Sequence, residues 1–395
     1  MIYLDYGATS FHKPPEVYRA VTRAMARCAS PGRGGYPAAE LGARTVFHCR
    51  ETAARLFGCR PEQVVLTANC THGLNIAIRS LVRPGARVAV SGFEHNAVVR
   101  PLYALGAKLQ IAGRRLFCWE DTLEEFSRAL GAGAEAAVFT HVSNVFGYVL
   151  PVEEMAAMCR ERGIPFILDA AQSAGTLPVK LDRLGAAFIA MPGHKGLLGP
   201  QGTGLLLCAG EATPLLFGGT GSESLRRDMP ELLPERLEAG TMNVPGAAGL
   251  EAGMRYVLSR GDAIARREHS QVQRCAPALE KLGLHPFFGA HQAGTLSFLP
   301  PVDCQQCAEY LARQGIAVRA GLHCAPLAHE SAGTLATGTV RISFGPDASP
   351  GQTAALLSAL GRMSSAKTAP DRGANLREPS QSAAEKAEKP RGGSK

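Results

Sequence analysis

Two side chains at the ends of apolar runs set the chemical question. Lys195 lies in the glycine-rich stretch Pro192-Gly193-His194-Lys195-Gly196, after the β-like run Ala186–Met191 and before a second one, Gly204–Cys208. A lysine held between apolar strands is drawn out of water, loses charge and gains a nucleophilic amine. In Ile167-Leu168-Asp169-Ala170-Ala171-Gln172 a carboxylate ends another apolar run. Alone, Asp169 is a helix cap and Lys195 a loop lysine. At neighbouring strand ends they suit pyridoxal 5'-phosphate, with the lysine bonding the aldehyde and the carboxylate keeping the ring nitrogen protonated, so that the ring accepts electrons.

Such a cofactor needs a phosphate cradle. Ala68-Asn69-Cys70-Thr71-His72-Gly73 follows the Val64–Thr67 run and opens a helix, so backbone N–H groups and the Thr71 hydroxyl are placed to bind an anion. His95, in Phe93-Glu94-His95-Asn96, follows a further strand and offers a flat ring to stack on the cofactor. Cys324 sits in Arg319-Ala320-Gly321-Leu322-His323-Cys324-Ala325-Pro326, where basic neighbours favour the nucleophilic thiolate. The other ten cysteines read as inert small hydrophobes, Cys304-x-x-Cys307 included, and no metal site is expected.

The elements that must position these groups alternate. Strands are predicted near Val64–Thr67, Arg87–Ser91, Lys108–Ala112, Ala136–Thr140, Pro165–Asp169 and Ala186–Ala190, with helices near Thr71–Val82, Ala97–Gly106, Thr122–Leu130 and Val152–Arg162 between them. Continuously apolar strands alternating with helices predict an α/β fold, a mostly parallel sheet covered on both faces with its ligand site beyond the strand C-termini. Past Pro245 the pattern becomes a long helix to about Leu282, then strand-like Gly294–Phe298, a helix near Asp303–Gln314, strands Ile316–Arg319 and Thr339–Phe344, and a last helix near Gln352–Leu360. The expected organisation is an N-terminal segment (1–14) near the active site, a large domain (15–245), a smaller α+β domain (246–362) carrying the Cys324 loop, and a disordered Ser/Ala/Lys/Glu-rich tail (363–395).

The chain has 395 residues and a formal net charge of +8, part of it in the tail. Scattered basic residues with few aromatics argue against a nucleic-acid surface. No apolar run reaches the length of a membrane span and no signal peptide is evident, and eleven irregularly spaced cysteines do not form a disulfide framework. A cytoplasmic protein with reduced thiols is expected.

The ordered set of motifs resembles the cysteine desulfurase/selenocysteine lyase family, Suf-type (group II), within the class V aminotransferase group of fold type I pyridoxal-phosphate enzymes. It comprises Tyr3-Leu4-Asp5 with Ala8-Thr9, Thr71-His72-Gly73, Glu94-His95-Asn96, His141-Val142-Ser143-Asn144, Asp169 with Gln172, Gly193-His194-Lys195, Gly240-Thr241, Arg319 to Cys324, and Arg341. The resemblance spans residues 1–362. It implies a large domain built on a mostly parallel seven-stranded sheet and a smaller C-terminal one. It implies that Lys195 bonds the cofactor, Asp169 pairs with the ring nitrogen, Gln172 bonds the ring hydroxyl, His95 stacks on the ring and Asn144 faces cofactor and substrate. Thr71, His72 and His194 would be cofactor contacts, joined by Thr241 of a partner subunit in a homodimer. Arg341 would grip the substrate carboxylate as a two-point donor beside Ala8 and Arg319, and Cys324 would take the sulfur of L-cysteine as a persulfide and hand it to an acceptor protein. L-selenocysteine, another class V reaction, or a weakly active paralogue remain alternatives.

Two departures from the family pattern stand out. Pro192 replaces a hydroxyl residue that would bind phosphate, and it offers neither hydroxyl nor N–H. Tyr6-Gly7 stands where Asn-Ala is common, close to the substrate position.

Overall fold

The computed structural model describes residues 1–32 and 34–368. In chain order the elements are β1 (Ile2–Tyr3), α1 (Pro15–Arg27), α2 (Pro37–Phe57), β2 (Val64–Thr67), α3 (Cys70–Leu81), β3 (Arg87–Ser91), α4 (Asn96–Ala104), β4 (Lys108–Ala112), α5 (Trp119–Gly131), β5 (Ala136–Thr140), α6 (Val152–Glu161) and β6 (Phe166–Asp169). Then come α7 (Leu181–Leu184), β7 (Phe188–Pro192), β8 (Gly204–Cys208), α8 (Val244–Lys281), β9 (His285–Phe287), β10 (Thr295–Leu299), α9 (Cys304–Arg313), β11 (Ile316–Ala317), β12 (Arg319–Gly321), α10 (Pro326–Ser331), β13 (Thr339–Ser343) and α11 (Pro350–Thr368).

Seven strands form one sheet in the order β2-β8-β7-β6-β5-β3-β4. Its four neighbour pairs from β7 to β4 are parallel, and only β8 runs against its neighbours β7 and β2. β5, β6, β7 and β8 are buried at every position, as their unbroken apolar runs require in a sheet covered on both faces. One core cluster gathers Phe126, Phe139, Leu168, Ile189 and Leu205; a second gathers Leu74, Val88, Val138, Ile167 and Leu206. The alternation within β5, β6 and β8 places the two clusters on opposite faces of the sheet. The mostly parallel, helix-covered sheet expected from the alternation is present.

The 38-residue α8 packs on α1 and α2 along part of its length and on β9, β10 and α11 along another. Together with the antiparallel sheet β12-β13-β10-β9 it encloses a third cluster that includes Leu4, Val272, Phe298, Leu311 and Ile342. The expected strand Ile316–Arg319 is split at Val318, because the chain changes partner there: β11 pairs in parallel with β1, and β12 pairs with β13. The last helix runs past Leu360 to Thr368, so the start of the expected tail at 363 is helical, and the remainder of that tail lies outside the described residues. Among the described residues no helix is long and apolar enough to cross a membrane.

Candidate active site

Because β8 opposes both neighbours, β2 runs in the same direction as β3, β5, β6 and β7, and the C-termini of all five reach one edge. The residues singled out in the sequence follow at that edge: Asn69 to His72 after β2, Glu94-His95 after β3, His141 to Asn144 after β5, Asp169 ending β6, and His194-Lys195 after β7. The crevice beyond parallel strand ends is where helix dipoles and loop backbone converge on a ligand. A cavity of about 360 Å³ lies there, lined by Ala8, Thr71, His95, Asn144, Asp169, Gln172, His194, Lys195, Arg319, Cys324 and Arg341 among others.

Two sequence-predicted residues lie elsewhere. His72 accepts from the Ala68 N–H at 3.3 Å and faces a neighbouring cavity of about 260 Å³, which Gly240 and Thr241 also line. Successive residues at a helix start project in different directions, so Thr71 faces the lysine cavity while His72 turns away from it.

At the lysine end, burial of the Lys195 amine and the nearby Arg341 guanidinium push its pKa below the usual lysine range, with Asp169 pulling the other way. Asp169 is 2% exposed. Its Oδ1 accepts from the Ala171 N–H at 2.9 Å and from the Cys70 thiol at 3.5 Å. Burial raises the Asp169 pKa, and the Ala171 bond, Lys195 and Cys70 oppose that rise. His95 caps α4, its Nδ1 accepting from the Ala97 N–H at 3.0 Å, which places the ring proton on Nε2. Burial, then Lys195, depresses the His95 pKa to about 4, so the ring is neutral at physiological pH.

The α3 N-terminus forms the anion end. Asn69 takes the His72 N–H on its side chain at 2.8 Å, and its carbonyl accepts from Gly73, which leaves the N–H groups of Cys70 and Thr71 without a protein partner among the described residues. His194 Nδ1 lies 3.1 Å from Thr9 Oγ1, and burial depresses its pKa to about 4. Pro192 ends β7 opposite Gly204 and lines the cavity with Gln201 and Thr9.

Arg341 is 2% exposed. Its Nη2 donates to Asp5 Oδ1 at 2.7 Å and its Nη1 to the Asn144 carbonyl at 3.0 Å, while its buried Nε has no partner among the described residues. Asn144 donates through Nδ2 to the His323 carbonyl at 2.8 Å, and its buried Oδ1 has no partner among the described residues. Gln172 donates to the Gly7 carbonyl at 2.9 Å. A Cβ on Gly7 would lie 3.2 Å from the Arg341 guanidinium carbon, so glycine there lets the N-terminal segment close over the arginine. Tyr6 turns away and donates to Asp347 at 2.7 Å. Cys324 is exposed at the cavity wall; it and His323 adopt left-handed φ of 57° and 49°, and its carbonyl accepts from the Asn96 N–H at 2.7 Å. Strained backbone of this kind gathers where a side chain must be held in a set direction.

A half-buried lysine with its amine out of water near a buried carboxylate, a neutral ring, N–H groups at a helix start and the Asn144 Oδ1 fit pyridoxal phosphate: amine for its aldehyde, carboxylate for its ring nitrogen, donors for its phosphate. Sequence reasoning assigned no role to Asp5, Thr9, Cys70 or Gln201. Asp5 and Thr9 lie in the quoted N-terminal motif, and Cys70 adjoins Thr71, which was the available signal.

The fold and this site define a fold type I pyridoxal-phosphate enzyme, and the aminotransferase class-V family description matches residues 2–355; the chain belongs to that family. It is 32% identical over 365 residues to a probable cysteine desulfurase from Pyrococcus abyssi, across 87% of this chain and 89% of that one. It is also similar in structure to the apo cysteine desulfurase of Thermococcus onnurineus, with TM-score 0.86 and 31% identity over 92% of this chain and 95% of the other. The cysteine desulfurase CsdA of Escherichia coli superposes with TM-score 0.79 at 26% identity, over 91% and 94% of the two chains.

Proposed function

We propose that the protein is a pyridoxal-phosphate-dependent cysteine desulfurase: L-cysteine and the Cys324 thiol become L-alanine and a Cys324 persulfide. The relatives named above support the reaction, and one observation carries the residue assignment. Cys324, the only exposed cysteine among the described residues, lines the same cavity as Lys195 and Arg341.

Lys195, Asp169, His95, Gln172, Asn144, Thr71 and His194 would hold the cofactor, which supplies a sink for the electron pair left when the substrate α-proton departs. The Lys195 amine, its basicity lowered by burial, takes that proton at Nζ. Arg341 receives the substrate carboxylate on the N–H groups not used by Asp5 and Asn144. The Cys324 thiolate attacks the substrate sulfur: the new S–S bond forms as the Cβ–S bond breaks, and the electron pair of that bond ends, protonated, in the alanine methyl group. The product sulfur then rests on an exposed loop, which suits transfer to an acceptor protein.

The reading extends to a homodimer. Thr241 lies outside the lysine cavity of its own chain, and the family pattern gives it to the cofactor phosphate of a second copy. Free cysteines throughout the described residues support a reducing, cytoplasmic setting.

The test is a visible spectrum of purified protein before and after L-cysteine, with alanine assayed. Cys324→Ala should retain the cofactor band and lose turnover of L-cysteine. Undiminished alanine release by that variant would sink the Cys324 assignment, and no release by the wild type would sink the reaction.

A further inference from the structure

Glu268 lies on α8 and is only 9% exposed, yet its carboxyl forms no hydrogen bond or ion pair among the described residues. The fold makes room for it. A Cβ on Gly294 would lie 2.6 Å from Glu268 Oε2, so only glycine lets the chain enter β10 this close to the carboxyl. Glu268 lines a cavity of about 50 Å³, together with Gln172, Thr176, Lys195 and Ser343. This cavity adjoins the larger one at the strand ends: Gly7, Val142, Ala171, Gln172 and Lys195 line both. Lys195 thus borders the substrate side and the Glu268 side. The volume has room for about three or four waters at roughly 10–15 Å³ each, and the Thr176 and Ser343 hydroxyls, the Gln172 amide and the Glu268 carboxyl supply their partners. Burial and then Asp347 raise the Glu268 pKa to about 8, so near neutral pH the carboxyl can both give and take a proton. Tyr6, also on this cavity, spends its hydroxyl on Asp347 at 2.7 Å.

We propose that Glu268 is a proton-relay residue acting through Lys195, exchanging the proton that Lys195 takes from the substrate with solvent by way of water in this second cavity. The inference rests on the reading that Lys195 Nζ takes the α-proton. The Lys195 ammonium passes one proton along the water to the Glu268 carboxylate, leaving an amine and a carboxylic acid. Glu268 gives that proton to bulk water and takes another from it, which returns by the same route to the amine. No proton is gained or lost overall, but the hydrogen that reaches the product comes from solvent. Cofactor and substrate fill the other flank of Lys195 when bound, which leaves the Glu268 side as the wet one.

The test turns over L-cysteine carrying deuterium on Cα, in ordinary water, with the cofactor-loaded protein. Mass spectrometry reads the isotope content of the released alanine rather than its amount. Wild type should release alanine with little deuterium. Glu268→Gln keeps the shape of the side chain but removes its titratable proton, and should retain several-fold more deuterium; Glu268→Asp should restore the loss. Should E268Q not fold, Ala293→Leu on the wall of the same cavity should displace its water and raise retention likewise. Full retention by wild type, or retention that these substitutions leave unmoved, would overturn the relay and make Glu268 a structural residue. The two readings fail differently: absence of alanine overturns the reaction assignment, whereas alanine of unmoved isotope content overturns the relay alone.

Discussion

At the scale of single residues, Glu94 shows how the site is braced from beneath. Its Oε1 accepts from the Thr140 N–H at 2.9 Å and from both the backbone N–H and the hydroxyl of Ser91, tying the ends of β5 and β3 together one residue before His95. Its Oε2 is buried without a partner among the described residues, and burial raises the Glu94 pKa to about 8, so the carboxyl is protonated at neutral pH. Glu94→Gln keeps the acceptor and should change stability by less than about 1 kcal/mol. Glu94→Ala strands buried donors on Ser91 and Thr140 and should cost about 2–3 kcal/mol in chemical unfolding. Equal losses for the two would refute the bracing role. Lys195, Asp169, His95, Asn144, Arg341 and Cys324 were legible in the sequence as types at strand ends or in loops. Their partners were not. Asp5 meets Arg319 and Arg341 across more than three hundred residues of chain, and Cys70 meets Asp169 from a different strand end. Nothing local in the sequence records such meetings.

Among the elements, α3 has the most at stake. Its N-terminus is an anion site only while Asn69 holds the cap, because the bond to the His72 N–H sets the direction in which the Cys70 and Thr71 N–H groups point. Asn69→Ala should cost about 1 kcal/mol of stability, and the cofactor should leave the variant faster in a dilution experiment. An unchanged release rate would show that the helix start does not hold the phosphate. The strand-helix alternation made this element readable to within a residue, since β2 and α3 follow the apolar pattern closely. The orientation of side chains in its first turn was not readable. Periodicity fixes a face only after a full turn or two, and Thr71 and His72 precede that.

For the whole molecule, buried ionisable groups predict a pH of maximum stability. Burial depresses the pKa values of His95, His141, His194 and His329 from 6.5 to about 4. The unfolded chain therefore binds more protons between those limits, and stability falls as pH drops below 6.5. Glu94 and Glu268 are raised from 4.5 to about 8, so there the folded chain holds more protons, and stability falls as pH climbs toward 8. Below 6.5 these histidines outnumber the two glutamates, and of these six groups only the glutamates still act between 6.5 and 8. Thermal unfolding of the cofactor-free protein should peak in temperature near pH 6.5, and a midpoint that keeps rising through pH 8 would contradict this. The layered architecture and its long bridging helix were legible from patterning. The split of β11 from β12 was not, because it depends on β1 and β13 competing for one stretch of chain.

Sulfur transfer to Cys324 in this cavity can be read by mass spectrometry of the cofactor-loaded protein, alkylated after a brief exposure to L-cysteine and digested. One additional sulfur is expected on the peptide containing Cys324 and none on the peptides of the other cysteines. Alanine release with no added sulfur at Cys324 would contradict it.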